Sequence, residues 1–371
     1  MRISIDSTGL GAAKTGTAVY LSEILHAWNL NPKLKHQFVI FATPNALSHL
    51  KQLDLDNRFR FVSAPNNRFI RILWQQFALP LWIKVLGVHV HWGPGFILPL
   101  LSMRPMVVTI HDMTFQLFPE VHEKVKRFYF PVMMKLAARK ARAILVISKS
   151  TGDDLQHLIP NTRGKIHITF LAARDFSRDP CRIDEKRTSG DGYDYMLFLG
   201  TLEPRKNLVR LLSAWLAIDD HVRGLTKLRV VGATGWMANE IDRRFKNSAP
   251  IEFLGHLDDG TLVQLLRGAK AFLYPSLYEG FGLPVVEAMS LGVPVLTSNI
   301  GATKEVAGNA ALLVDPTNET EIKRGLIRLL SEPHLRETLA ESGRKRSSQF
   351  SWVKTARETM AVIEKIHDER L

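Results

Sequence analysis

The sequence predicts an α/β protein built from two Rossmann-like domains, each a parallel sheet covered by helices, and three observations carry that reading. Short apolar runs alternate with helical patterns along the whole chain, the texture of parallel strands joined by crossover helices. The 371 residues exceed what one hydrophobic core usually serves. The stretch from Arg174 to Tyr193, poor in large apolar residues and rich in charge and glycine, interrupts the alternation as a linker would.

In the first domain, drawn as residues 1–175, the clearest strands are Arg2–Ile5, Phe38–Ala42, Val88–Trp92, Pro105–Ile110 and Ala143–Ile147. The glycine-bearing loop Gly9 to Gly16 follows the first of them and leads into a helix from Thr17 to Trp28. Such a loop admits a phosphate or an acceptor hydroxyl near Gly16 and Thr17. It is not a dinucleotide fingerprint: Gly9, Gly11 and Lys14 lack the third small residue, and FVIFATPN lacks the acidic residue that would hold an NAD ribose. Nor is it a P-loop, because Thr17 stands where the lysine belongs.

After a linker at 176–194, the second domain, residues 195–352, has strands Tyr195–Gly200, Lys227–Val231, Ile251–Leu254, Ala271–Tyr274 and Val293–Thr297. Two such domains would face one another across a cleft, the preferred ligand position of open sheets.

The most informative segment is FLYPSLYEGFGLPVVEAMSLGVP, Phe272 to Pro294. It sets Glu279 in a glycine-rich turn and Glu287 in the helix that Pro284 opens. Gly280 and Gly282 allow close approach of a ligand to the backbone, and the amides that open the helix favour an anion. One turn further in, Glu287 is placed to accept hydrogen bonds from a ribose diol. Phosphate, sugar and ribose together describe a sugar nucleotide.

This pattern resembles the nucleotide-sugar motif of the retaining glycosyltransferases of family 4, which have the two-domain GT-B fold. Further matches occur in the family's order: RISIDSTGLGAAKTGTAVYLSEIL, THDMTF around His111, AILVISKST, FLGTLEPRKNLVRLL and SNIGATKEVAGNAALLVDPTN. The resemblance implies that Arg205 and Lys206 bind the donor diphosphate and that Glu279 contacts the donor sugar. It implies further that the amides of Phe281, Gly282 and Leu283 serve sugar hydroxyls or phosphate, that Glu287 binds ribose, and that His111 contacts the transferred sugar. Asp112 either orients that imidazole or caps the next turn. The last helix, 353–371, is implied to pack back on the first domain. The opening loop departs from the commoner GGxG form, and GATKEV at Gly301–Val306 stands where related sequences often read SSLPEV. The overall pattern is most similar to bacterial mannosyltransferases of surface polysaccharide assembly, which implies GDP-mannose as donor and a glycan or lipid-linked acceptor. A sugar-nucleotide epimerase or hydrolase on the same fold, and a noncatalytic nucleotide-sugar-binding protein, stay open as alternatives.

Composition narrows the partners. Residues 1–175 hold 22 Lys and Arg against 10 Asp and Glu, whereas residues 176–371 hold 27 against 26, so the first domain is the one that meets something anionic. A membrane surface or a lipid diphosphate is the natural candidate; no nucleic-acid motif accompanies the charge. Two segments could form that surface, His122–Arg142 and Arg68–Gly87, each mixing basic with large apolar residues. The competing reading turns their apolar faces to the core and leaves their charges in solvent. The single cysteine, Cys181, rules out an intrachain disulfide and a thiolate cluster and suits a reducing cytoplasm. No leader or membrane-spanning run is evident, so a cytoplasmic enzyme, peripheral on the inner face of the plasma membrane, is the expectation. No cofactor and no metal are expected: histidines show no ligand spacing, and the only Asp-x-Asp, Asp54–Asp56, sits in a polar segment.

Overall fold

Runs that are apolar on both faces are stable only when helices cover both sides of the sheet they form. In the computed structural model, which describes residues 1–10, 15–119, 124–176, 194–232, 238–245 and 247–369, such runs build two sheets in two units. One unit comprises Met1–Leu171 with Ser351–Leu371, the other Ala172–Phe350.

The first unit contains β1 (Arg2–Asp6), β2 (Gln37–Ala42), β3 (Phe59–Ser63), β4 (Val90–Gly93), β5 (Met106–Ile110), β6 (Ala143–Val146) and β7 (Ile166–Ile168). They pair in parallel in the order β3-β2-β1-β4-β5-β6-β7. The interior strands are fully buried, with Ile3, Ile5, Val107 and Ile144 inaccessible to solvent. The helix Trp352–Asp368 belongs to this unit and packs on the helix Gly16–Asn29. Its backbone receives a hydrogen bond from Trp28 Nε1 to Ala356 O at 2.9 Å, and Thr355 Oγ1 donates to Phe170 O.

The second unit contains β8 (Tyr195–Leu199), β9 (Lys227–Val231), β10 (Ile251–Gly255), β11 (Ala271–Tyr274), β12 (Val295–Ser298) and β13 (Leu312–Val314), in the order β10-β9-β8-β11-β12-β13. Phe198, Trp215, Leu273, Leu296 and Leu326 form the centre of its core. Both sheets therefore reverse their winding once, between β1 and β4 and between β8 and β11. Loops that leave the carboxyl ends of strands at such a point diverge and open a crevice.

The predicted strands are present, with ends shifted by one or two residues. Three further strands, β3, β7 and β13, are not predicted by the sequence pattern. Each lies at an edge of its sheet, where a strand is short and carries polar residues on an open side, as in FRFVS and IHI. Gly11 and Lys14 of the opening loop, His122, Cys181 and residues 177–193 of the linker lie outside the described residues.

Candidate active site

The segment TLEPRKN leaves β8 at the switch point of the second unit. Pro204 opens a single 3₁₀ turn over Pro204–Lys206, and Asn207 ends it in the left-handed region at φ 60°, a conformation Asn tolerates better than most residues. Asn207 Nδ2 then donates to Pro275 O at 3.0 Å and to Pro316 O at 2.6 Å, which locks the turn against the loop following β11. Leu277 N donates to Arg205 O at 2.8 Å and closes the same junction.

These bonds bring Arg205 and Lys206 onto Glu279. Lys206 Nζ lies 2.7 Å from Glu279 Oε1, and Arg205 Nη1 lies 2.9 Å from Oε2. Both the Glu279 and Lys206 side chains are 9% exposed. Burial alone would disfavour the Glu279 carboxylate, but Lys206 and Arg205 outweigh it and hold its pKa at about 2. The Lys206 ammonium is held below its usual pKa by burial, which Glu279 only partly offsets, and it sits 4.7 Å over the Tyr274 ring while donating to the Tyr274 hydroxyl.

Gly282 caps the helix Leu283–Ser290 at φ 99°, where a side chain would be strained and its Cβ would meet Thr303 Cγ2 at 3.2 Å. Thr303 belongs to the GATKEV segment, so that departure from related sequences borders the turn directly. Phe281 is buried edge-on against Phe350 at 5.7 Å. Leu283 is the first helical residue, with Pro284 beside it in the first turn.

Glu287 lies in that helix, 4% exposed, and its Oε1 accepts from Arg174 Nε at 2.6 Å. Arg174 Nη1 also donates to Asp259 Oδ1 at 3.0 Å. Here burial wins, and the Glu287 carboxyl is raised above its ordinary pKa despite Arg174. Arg174 is absent from the site that the sequence predicts. It opens a stretch whose charge and glycine content read as solvated linker, and no pattern in the sequence links it to Glu287.

In the first unit, loops after β1, β4 and β5 surround a cavity of about 210 Å³ lined by Asp6, Thr17, Arg71, Gln75, His111 and Tyr129 among others. Asp6 Oδ1 accepts from Thr8 N at 2.9 Å, and Oδ2 accepts from Gln75 Nε2 at 2.8 Å. The Tyr129 hydroxyl is buried there with no hydrogen-bond partner among the described residues. Gly16 begins the helix Gly16–Asn29 at the surface, after Thr15 whose Oγ1 accepts from Ala18 N at 3.3 Å; Thr17 reaches the cavity wall and Gly16 does not. His111 stands at the end of β5, 2.7 Å through Nε2 from Pro94 O and edge-on to Tyr20 at 4.9 Å. A carbonyl only accepts, so Nε2 carries the proton and Nδ1 is the acceptor of the neutral ring. Burial lowers the His111 pKa and keeps that neutral form dominant near pH 7. Asp112 turns away to cap the next turn, accepting from Thr114 N at 2.9 Å. Among the described residues, no group of three or more His, Cys, Asp or Glu is arranged to hold a metal ion.

Residues 15–169 match the family model for Glycosyltransferase Family 4, and residues 182–346 match that for Glycosyl transferases group 1. O-antigen chain mannosyltransferase B of Escherichia coli is 32% identical over 281 residues, covering 73% of each chain. This chain belongs to glycosyltransferase family 4. The enzyme also shares 31% identity over 251 residues with the MMP alpha-(1->4)-mannosyltransferase of Mycolicibacterium hassiacum, over 65% of this chain and 58% of that one. Its fold is that of solved GT-B glycosyltransferases. The sucrose-phosphate synthase of Thermosynechococcus elongatus superposes with a TM-score of 0.77 at 18% identity over 100% of both chains. WaaG, a glycosyltransferase of lipopolysaccharide biosynthesis, does so with 0.72 at 15% over 98% of this chain and 99% of that one. For this glycosyltransferase the Glu279–Lys206–Arg205 cluster is thus one assembled group at the head of β11, and Glu287 with Arg174 and Asp259 a second.

Proposed function

We propose that the enzyme moves a hexose, with retention at the anomeric carbon, from a nucleotide sugar to a glycan or lipid-linked acceptor. The donor is GDP-mannose and the product a bacterial surface polysaccharide or lipopolysaccharide chain. The observation that carries this reading is the two-cation grip on Glu279 at the switch point of the second unit. Departure of the sugar leaves negative charge on a diphosphate, and Arg205 and Lys206, fixed in advance by Glu279, are the groups that stabilise it without a metal or other cofactor. Glu279 orients the sugar hydroxyls, the opening turn of the Leu283–Ser290 helix meets phosphate or sugar, and Glu287 accepts from the ribose. Neutral His111 contacts the transferred sugar, and Thr17 in the cavity wall, with Gly16 beside it outside that wall, meets a donor phosphate or the acceptor hydroxyl. The acceptor hydroxyl attacks from the leaving-group face and its proton passes to a diphosphate oxygen, so the protein needs no nucleophile of its own.

Mannose is supported by relatives named as mannosyltransferases, and a nucleotide-sugar donor by HepE of Anabaena, a fold neighbour solved with UDP and glucose. The setting is the cytoplasmic face of an anionic membrane. No helix among the described residues is long and apolar enough to cross one. A thermal-shift screen of nucleotide sugars tests the donor: GDP-mannose should raise the melting temperature more than UDP-glucose at equal concentration. Nucleotide release should then require an acceptor. Turnover without acceptor would identify an epimerase or hydrolase, and affinity without turnover a binding protein.

A further inference from the structure

The helical segment Arg68–Val85 is apolar on two opposite faces. One face, Gln75, Leu79 and Ile83, is buried, and its two apolar side chains pack on Val39, Phe41 and Val88. The other carries Phe69, Leu73, Phe77, Leu81 and Val85 at four-residue spacing, exposed by 70%, 60%, 62%, 64% and 78%. A π-turn over Trp74–Ala78, in which Leu79 N donates to Trp74 O, widens the helix just before Pro80, which has no N–H to offer the ladder. A wider turn counteracts the drift of an i, i+4 row around an α-helix, so the exposed row stays on one side.

This row is not alone. Gln76 binds the loop after β4 through Nε2 to Leu98 O at 3.1 Å and through Oε1 from Leu100 N at 3.0 Å. That loop exposes Leu101 and Met103, and its Phe96 meets Phe130 of the helix Lys124–Lys140 at 5.1 Å. The same helix exposes Phe128, Val132 and Leu136, again at four-residue spacing. Patches of this extent on a soluble surface mark a contact. Between Asn57 and His111, and again between Lys124 and Gly152, there is no Asp or Glu, whereas Arg68, Arg71, Lys84, Arg104, Arg127 and Lys135 lie among these side chains.

We infer that this face is a docking surface for an anionic phospholipid bilayer, the apolar rows entering the interface and the basic residues meeting headgroup phosphates. A second copy fits it less well, because a twofold contact would set the acid-free basic face against itself. The inference deepens the reading of a lipid-linked acceptor and rests on it for its purpose. The cavity bounded by Arg71 and Gln75 on one helix and Tyr129 on the other would open beside the lipid surface.

Sedimentation with vesicles tests it on the full chain. Wild-type protein should pellet with phosphatidylcholine vesicles containing about 30% phosphatidylglycerol and lose most of that binding in high salt. Combining Leu73→Ser, Phe77→Ser and Leu81→Ser should weaken vesicle binding about tenfold or more while leaving the GDP-mannose thermal shift intact, since these side chains already face solvent. Equal binding of the triple variant, binding as tight to pure phosphatidylcholine, or no wild-type binding at low salt each overturns the inference. So does a dimer in solution that the triple variant dissociates. A wild type that binds vesicles yet shows no thermal shift with any nucleotide sugar would instead defeat the proposed function and leave the docking surface standing.

Discussion

Glu279 and Glu287 stand eight positions apart, both carboxylates are buried, and their pKa values move in opposite directions. Glu279 faces two cations, one of them as buried as itself, and stays ionised. Glu287 faces a single guanidinium that is shared with Asp259, whose own negative charge opposes ionisation of Glu287. Burial pushes both carboxyls up, and the number and sharing of their countercharges decides whether it wins, as at Glu287, or is outweighed, as at Glu279. In the proposed reaction Glu279 is a fixed anion that holds a cationic pair in place for a diphosphate. In the same proposal Glu287 is an acceptor whose charge is held less firmly and which a ribose hydroxyl engages.

The largest consequence concerns stability. Glu279→Gln leaves Lys206 buried beside a neutral amide and should cost about 3 kcal/mol, whereas Glu287→Gln removes a carboxylate that its surroundings already disfavour and should change stability by less than about 1 kcal/mol. Urea melts at neutral pH decide this, and equal losses in the two variants would erase the distinction. The pH dependence has opposite signs. Glu279 has a folded pKa below its ordinary 4.5, so its contribution is complete above 4.5 and is lost as pH falls toward about 2. Glu287 has a raised folded pKa, so its unfavourable contribution is absent below the ordinary value and grows as pH rises through the raised one. The gap between the two variants should accordingly shrink in acid.

Turnover sharpens the contrast further. Per folded molecule, Lys206→Ala and Glu279→Ala should each lower the transfer rate more than about a hundredfold, because both disturb the group proposed to meet the leaving diphosphate. A near-normal rate in either variant, measured by nucleotide release, removes that residue from the site.

Much of this contrast is legible in the amino-acid sequence alone. The carboxylates and the glycine turn are marked by spacing within one segment and by its place after a strand, the cationic pair only by the family resemblance of TLEPRKN, and buried interior strands announce themselves as continuous apolar runs. The edge strands β3, β7 and β13 do not, because an edge needs neither length nor two apolar faces. Helix Arg68–Val85 is ambiguous for a different reason: periodicity separates an apolar face from a polar one and fails when two opposite faces are apolar. The role of Arg174 is illegible in principle. Its partners Asp259 and Glu287 lie 85 and 113 residues away, and only the folded second unit brings the three together.

Arg174 consequently gives the mildest and most discriminating test. Arg174→Gln leaves burial and Asp259 acting on Glu287 without a counterion, so the Glu287 carboxyl should titrate at higher pH than in the wild type. A protonated Glu287 accepts less well from ribose. The variant should therefore bind GDP about tenfold more weakly at neutral pH and recover toward wild-type affinity as the pH is raised into the alkaline range, with turnover at saturating donor little changed. Arg174→Lys should restore part of the affinity, since it returns the charge but not the second hydrogen bond. Calorimetry across this range decides the matter, and a nucleotide lacking one ribose hydroxyl should lose less affinity in Arg174→Gln than in the wild type. A deficit that is constant with pH and blind to the missing hydroxyl would mean that Arg174 merely braces the helix, and that Glu287 owes nothing of its function to its partner.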